Sequence, residues 1–227
     1  MKHIRTIIAK EWAEVFKNRL VFFTIVFLPL IFTALPLIML SVTQSSVPEG
    51  GGSSEVPQMF AAACGSMSAN DCVQAFMLNQ FLLFFMMMPL IIPTTIAAYS
   101  IVGEKTTRSL EPLLATPITT EELLIGKAAA ASLPAIVVGW ASFIVFTLLI
   151  PVTGASKAVQ LYVLTPTWLM GVFAVGPLMA IAAVNLAIFI SSRVNDPRTA
   201  EQISMVLLVP LLAIMFGQIA GKLVINF

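Results

Sequence analysis

Residues 77–101 read MLNQFLLFFMMMPLIIPTTIAAYSI, and none of these 25 side chains is charged. A helix of about 20 apolar residues is long enough to cross the roughly 30 Å hydrocarbon core of a membrane. The run is continuously apolar rather than alternating, which argues against the strands of a membrane barrel. The stretch therefore predicts a transmembrane helix.

The rest of the chain has the same character. Its 227 residues are 59% hydrophobic and 10% charged, with a mean hydropathy of +0.98, whereas soluble domains are about 25% charged. Further uncharged runs predict spans at 20–42, 128–150, 168–190 and 202–221. The first run begins too late and is too long for a cleaved signal peptide. We predict an all-α, polytopic membrane helix bundle, with residues 1–227 forming a single transmembrane domain of five spans.

The positions of lysine and arginine predict the orientation of the bundle. If the N-terminus lies inside the cell, ten basic residues fall inside and two outside. This asymmetry agrees with the positive-inside rule. It places the loop at 43–76 outside and the segment at 103–127 in the cytoplasm. The net charge of +1, without a basic stripe, argues against nucleic-acid binding.

The first 18 residues predict an amphipathic helix. The apolar side chains that share one face are Ile4, Ile7, Ile8, Trp12, Val15 and Phe16. Lysines and acids fill the other face, as in a helix that lies along a membrane surface with its tryptophan at headgroup depth. The alternative is a flanking helix that only fixes the topology.

The outside loop contains the two cysteines of the chain, Cys64 and Cys72. An oxidising exterior would allow a disulfide between them. Two free thiols in a small turn are the alternative.

The sequence predicts no catalytic site. It has one histidine, His3, and no G-x-x-x-x-G-K-[ST] loop for a nucleotide phosphate. No acid or base lies in the middle of a predicted span, where an ion-coupled transporter usually has one. We therefore expect neither an enzyme nor a secondary transporter, and no cofactor or metal of the chain's own.

The segment 103–127, GEKTTRSLEPLLATPITTEELLIGK, concentrates charge between two uncharged runs. Leu110, Leu113 and Leu114 form an apolar stripe on a short helix. That helix ends at Thr116, because the residue before a proline disfavours the helical conformation. Thr119 and Glu122 have the spacing of a capping box and begin the next helix. We call residues 103–127 the elbow; its leucines either lie on the membrane and the other spans or insert into a cytoplasmic partner.

The elbow resembles the intracellular loop of ABC-2-type transporter permeases. The matching residues are Glu104, Lys105, Ser109, Leu110, Glu111, Leu113, Leu114, Thr116, Pro117, Gly126 and Lys127. The segment SSRVNDPRTAEQIS (191–204) is similar to the loop before the family's fifth span, through Ser191, Arg193, Asp196, Pro197, Ala200 and Gln202. The N-terminal helix resembles the family's connecting helix. The likeness is closest to the NatB-like branch, which exports sodium or drugs.

The resemblance implies a permease subunit in the cell membrane that works with a separate ATP-binding subunit, which would hold the ATP and Mg²⁺. It also implies a second permease, either another copy or a related chain. The implied coupling residues are Glu104, Lys105, Arg108, Leu110, Glu111, Leu113, Leu114 and Pro117. The leucines would be the apolar anchor and the charged residues its rim, with Arg193 and Arg198 assisting. The cargo would be a drug, lipid, peptide or sodium.

The family usually has six spans, and this sequence predicts five. The sixth span either lies beyond Phe227 or is missing from a natural short form. A membrane scaffold or assembly protein without transport activity is the alternative function.

Overall fold

The computed structural model describes residues 2–46, 60, 64–65, 67–106 and 118–220. The regular structure of these residues is entirely helical. The α-helices are α1 (Lys2–Lys17), α2 (Arg19–Ser46), α3 (Ala69–Thr106), α4 (Thr120–Leu149), α5 (Lys157–Val163), α6 (Pro166–Met170), α7 (Gly176–Arg193), α8 (Pro197–Ser204) and α9 (Leu208–Ile219). Short 3₁₀ turns follow α4 and α8, and a π-helical turn at Gly171–Val175 joins α6 to α7.

Five helical segments are long and apolar enough to cross a membrane. They are Val21–Thr43, Ala69–Thr106, Thr120–Thr153, Lys157–Arg193 and Pro197–Ile219. Each predicted span overlaps one of them, so the predicted all-α membrane bundle is confirmed. The fourth segment is assembled from α5, α6, the π-helical turn and α7.

Helix α3 is the centre of the bundle. In its most apolar stretch 78% of residues are buried, against 17–33% in the other four segments. It packs against α2, α4, α7 and α9. Phe85 of α3 contacts Phe146 and Trp168, with ring centroids 5.2 and 6.1 Å apart. The outer helices expose apolar faces, as expected where lipid rather than water surrounds them.

Two tryptophans bond to carbonyl groups that prolines leave without a donor. Pro134 has no N–H, so the carbonyl of Ala130 lacks its usual helical partner; the indole N–H of Trp12 donates to it at 3.0 Å. In the π-helical turn, the partner five residues after Val172 would be Pro177. The indole N–H of Trp140 donates to the Val172 carbonyl at 3.3 Å. Both prolines are therefore accommodated in apolar surroundings.

Helix α1 departs in part from the predicted amphipathic pattern. Ile7 and Val15 are buried as expected, but Glu11 lies between them on the same face and is only 2% exposed. The prediction that the acids lie on the exposed face is wrong for Glu11, because a buried lysine of α4 pairs with it. The indole N–H of Trp12, predicted to lie at headgroup depth, donates to the Ala130 carbonyl.

The structure joins Cys64 and Cys72 in a disulfide, with their Cα atoms 5.6 Å apart. Cys72 lies in the first turn of α3, far from the Glu104 turn at the other end of that helix. Phe60 and Ala75 pack beside the bridge. We call this end of the bundle the disulfide end, and the opposite end, which carries Lys10, Lys105, Lys127 and Arg193, the basic end.

Candidate functional site: a buried ion cluster at the basic end

The elbow begins in the last turn of α3 (residues 103–106) and ends in the first turns of α4 (residues 120–127), and we call these two helical parts its flanks. At the start of α4, the Thr119 hydroxyl accepts the N–H of Glu122 at 3.2 Å, and a Glu122 carboxylate oxygen accepts the N–H of Thr119 at 3.4 Å. The predicted capping box is confirmed. Six predicted coupling residues lie outside the described part of the chain: Arg108, Leu110, Glu111, Leu113, Leu114 and Pro117.

Lys127 joins the two flanks of the elbow to each other. Its Nζ atom lies 2.8 Å from Oε2 of Glu104, in the last turns of α3, and donates to the Ser100 hydroxyl at 2.8 Å. Lys127 and Glu104 are each only 5% exposed. An ion pair this deeply buried is maintained only with close geometry and further hydrogen bonds.

Helix α1 completes the group. The same Lys127 ammonium lies 2.7 Å from Oε1 of Glu11, and Lys10 reaches Oε1 of Glu104 at 2.6 Å. We call Lys10, Glu11, Glu104 and Lys127 the ion cluster. Its two lysines and two glutamates balance in charge. Partial burial alone would lower the pKa of Lys10, but the hydrogen bond to Glu104 and its charge outweigh that effect and raise the pKa above its usual value.

Gly126 lets α1 approach α4 closely beside this cluster. A Cβ atom on Gly126 would lie 2.9 Å from Cγ2 of Ile7, closer than packed atoms tolerate. Ile7, Glu11 and Trp12 thus contact α4 at Gly126, Lys127 and Ala130, within little more than one turn of helix. The Gly-Lys pair of the elbow therefore has a structural reason: the glycine makes room for α1 and the lysine binds it.

Comparison with known families assigns the chain to one of them. The family model for ABC-2 family transporter proteins matches residues 5–227. The chain belongs to this family. Comparisons with curated proteins and with solved structures find no match. The predicted ABC-2-type permease is confirmed, while its NatB-like branch stays a prediction.

In this ABC-2 permease, the first two predicted coupling residues have different surroundings. Glu104 is buried in the ion cluster, so the prediction that it lies on an exposed rim is corrected: two ammonium groups draw it inward. Lys105 is exposed, and its ammonium donates to the carbonyls of Val194 at 3.1 Å and Ser192 at 3.4 Å. It thereby neutralises the negative C-terminal end of α7.

The second predicted loop of the permease lies beside the same end of α3. The guanidinium of Arg193 is 5.4 Å from the centre of the Phe189 ring, and Arg198 is exposed. Asp196 caps α8, accepting the backbone N–H of Thr199 at 2.9 Å. That hydrogen bond, the hydroxyl of Thr199 and the charge of Arg198 hold the pKa of Asp196 below its usual value.

The permease has a group of carboxylates at the basic end. Glu11, Glu14 and Glu104 bring oxygen atoms within 4.8 Å of one another. Lys127 contacts Glu11 and Glu104. Lys10 lies 2.6 Å from Glu104 and 3.5 Å from Glu14. Two ammonium groups thus lie among three carboxylates, and the contacts within this group are ion pairs.

Sequence reasoning missed Lys10 and Glu11 as members of this site. One local signal was available: Glu11 stands four residues after Ile7 and four before Val15, so it interrupts the apolar stripe of α1. An acid at such a position indicates a buried cationic partner, because an unpaired buried charge is too costly.

Proposed function

We propose that this chain is the permease subunit of an ATP-driven exporter and that its elbow is the contact for a separate ATP-binding subunit. The observation that carries the proposal is the ion cluster, in which Lys127 joins Glu104 on one flank of the elbow to Glu11 on α1. A membrane scaffold without transport activity would have no need to tie these three helices together at the point where the elbow leaves the bundle.

The basic end is proposed to face the cytoplasm. Ten of the twelve basic residues of the chain fall on that side when the N-terminus is inside. The positive-inside rule favours this orientation. It puts the elbow where a cytoplasmic ATP-binding subunit would reach it.

The cluster suggests how movement at the elbow would reach the spans. The ion pairs hold α1 and the facing turns of α3 and α4 together, so a displacement of the elbow would move them as one body. Packed protein interiors are hard to compress and transmit displacement. Because α3 is the central helix of the bundle, its movement would change the packing of α2, α4, α7 and α9. The partner subunit would bind the ATP and Mg²⁺ and supply the energy.

The predicted apolar anchor remains the elbow's Leu110, Leu113 and Leu114, with Arg108 and Glu111 on its rim. Lys105 contacts the end of α7, so in this proposal it holds that end beside α3 rather than standing free on the rim. A second permease copy or a related permease completes the transporter. The apolar spans favour a lipophilic drug, a lipid or a peptide as cargo, and sodium is the alternative implied by the NatB-like resemblance.

The test is co-purification with a candidate ATP-binding subunit, and a P-loop ATPase encoded by an adjacent reading frame would be the first candidate to try. Leu113→Asp with Leu114→Asp should abolish both association and stimulation of ATP hydrolysis, because charged side chains cannot enter an apolar pocket. Leu113→Met with Leu114→Met keeps the anchor apolar and should preserve both. Unchanged association and stimulation in the aspartate variant would contradict the anchor assignment. A wild-type chain that binds the subunit without stimulating it would favour the scaffold.

A further inference from the structure

A cavity of about 350 Å³ lies at the basic end between α3, α4 and α7. It is separate from the ion cluster's contacts with α1. Lys127 lines it, but that ammonium is already held by Glu11 and Glu104. Among the described residues, the other cation that lines the cavity is Lys105, whose exposed side chain lies at the end of the bundle.

The lining changes in the same way on all three helices. On α3 it runs from Lys105 to Ile101, on α4 from Thr120 to Leu124, and on α7 from Ser192 to Ile188. In each pair the residues are four apart, so they share a helix face. The second member lies about 6 Å deeper in the bundle. Apart from Lys127, whose ammonium is held in the ion cluster, the lining is thus polar toward the end of the bundle and apolar deeper in it.

Two polar groups that line the cavity have hydrogen-bonding capacity that no described residue uses. The Lys105 ammonium has three N–H donors, and two are used by the carbonyls of Val194 and Ser192. Ser191 lines the cavity and is fully buried, and its hydroxyl has no hydrogen-bond partner among the described residues. A buried hydroxyl without a partner is costly, and a ligand oxygen beside it would remove that cost.

We propose that this cavity binds an anionic glycerophospholipid from the leaflet at the basic end, which is the cytoplasmic leaflet in the orientation proposed above. An acyl chain would lie against Ile101, Leu124 and Ile188. The phosphodiester would accept the remaining N–H of Lys105, and a lipid oxygen would accept the hydroxyl hydrogen of Ser191. The order of polar and apolar lining along the membrane normal favours a lipid over an apolar side chain of a cytoplasmic partner. This site requires only the membrane placement of the helices, and not coupling to ATP hydrolysis.

The proposed headgroup contact is tested by native mass spectrometry of the purified chain with equal amounts of phosphatidylglycerol and phosphatidylcholine. The wild type should retain phosphatidylglycerol preferentially. Lys105→Gln should lower that retention about fivefold, the effect of one basic residue on binding to anionic lipid. Lys157→Gln removes an exposed positive charge at the disulfide end and should change nothing. Equal losses in the two variants would overturn the assignment.

The proposed acyl-chain contact is tested with Ile188→Trp, which fills the apolar part of the cavity and should abolish the retention of phosphatidylglycerol. Ile181→Trp adds the same volume to a half-exposed position on the same helix and is the matched control. Melting temperatures of both variants establish that they are folded. Displacement of phosphatidylglycerol by inorganic phosphate alone would show a free-anion site and contradict the lipid. Displacement by the ATP-binding subunit, together with loss of its association in Ile188→Trp, would assign the cavity to that protein instead.

Discussion

The ammonium of Lys127 lies 2.7 Å from the carboxylate of Glu11, although the two residues are 116 positions apart in the chain. Both are buried, and the same ammonium contacts Glu104. One lysine at the start of α4 therefore fixes α1 and the end of α3 on either side of the elbow. This relationship is the structural basis of the proposed coupling.

Lys127→Met should destabilise the protein strongly. It leaves Glu11 and Glu104 buried with only Lys10 to balance them, and removing one partner of a buried ion pair costs about 3–5 kcal/mol. Adding Glu11→Gln restores the charge balance and should recover part of the loss. Thermal or denaturant unfolding in detergent measures both effects. Lys157→Met, at an exposed position, is the control. A Lys127→Met protein as stable as this control would show that the cluster is not a structural tie.

The hydrogen bond from Trp12 to the Ala130 carbonyl should depend on Pro134. Trp12→Phe should cost about 1 kcal/mol, the usual net value of one hydrogen bond. Pro134→Ala supplies a backbone N–H four residues after Ala130. In that background the same tryptophan substitution should cost measurably less, as a double-mutant cycle on unfolding would show. Trp140→Phe should cost the same in both backgrounds, because its acceptor is Val172. Additivity in the first cycle would contradict the explanation.

The Asp196 cap of α8 should make the stability of the fold depend on pH in the acidic range. The Thr199 N–H and hydroxyl and the charge of Arg198 lower the pKa of Asp196 in the folded state. A carboxylate whose pKa is lowered by folding stabilises the fold at pH values above its pKa in the unfolded state, which is about 3.9. That stabilisation is lost as the pH falls through the pKa of Asp196 in the folded state. Asp196→Asn keeps a side-chain acceptor and should flatten the dependence of the melting temperature on pH in this acidic range. Identical profiles for wild type and variant would contradict the prediction.

The Cys64–Cys72 disulfide should protect both thiols from maleimide labelling in the native protein. After reduction, two thiols should react, and Cys64→Ser should leave Cys72 reactive without reductant. Opening this short loop should cost about 2.5 kcal/mol, because eight positions separate the cysteines. Full labelling of wild-type protein before reduction would show that the bond is not formed in the membrane.

Those features that depend on local sequence could be predicted. The bilayer requires long uncharged helices, so uncharged runs locate the five spans. The capping box of Thr119 and Glu122 depends on residues three apart and was predicted correctly. The spacing of these two residues is enough to predict their reciprocal hydrogen bonds.

Those features that depend on distant partners could not be predicted. The sequence predicts Glu104 as a charged rim residue, because its partners Lys10 and Lys127 lie on other helices. The role of Trp12 required knowing that Pro134 frees the carbonyl that faces α1. The central place of α3 also depends on tertiary packing, since all five spans are similarly apolar.

The central claim is that the elbow lies in the cytoplasm and contacts an ATP-binding subunit. Glu121, exposed in the first turn of α4, is the nearest suitable reporter. The measurement is labelling of Glu121→Cys, in a chain whose own two cysteines are changed to serine, with a membrane-impermeant maleimide. We expect labelling in inverted vesicles, none in intact cells, and protection when the ATP-binding subunit is bound. Labelling from the outside of intact cells would contradict the orientation and, with it, the proposed coupling.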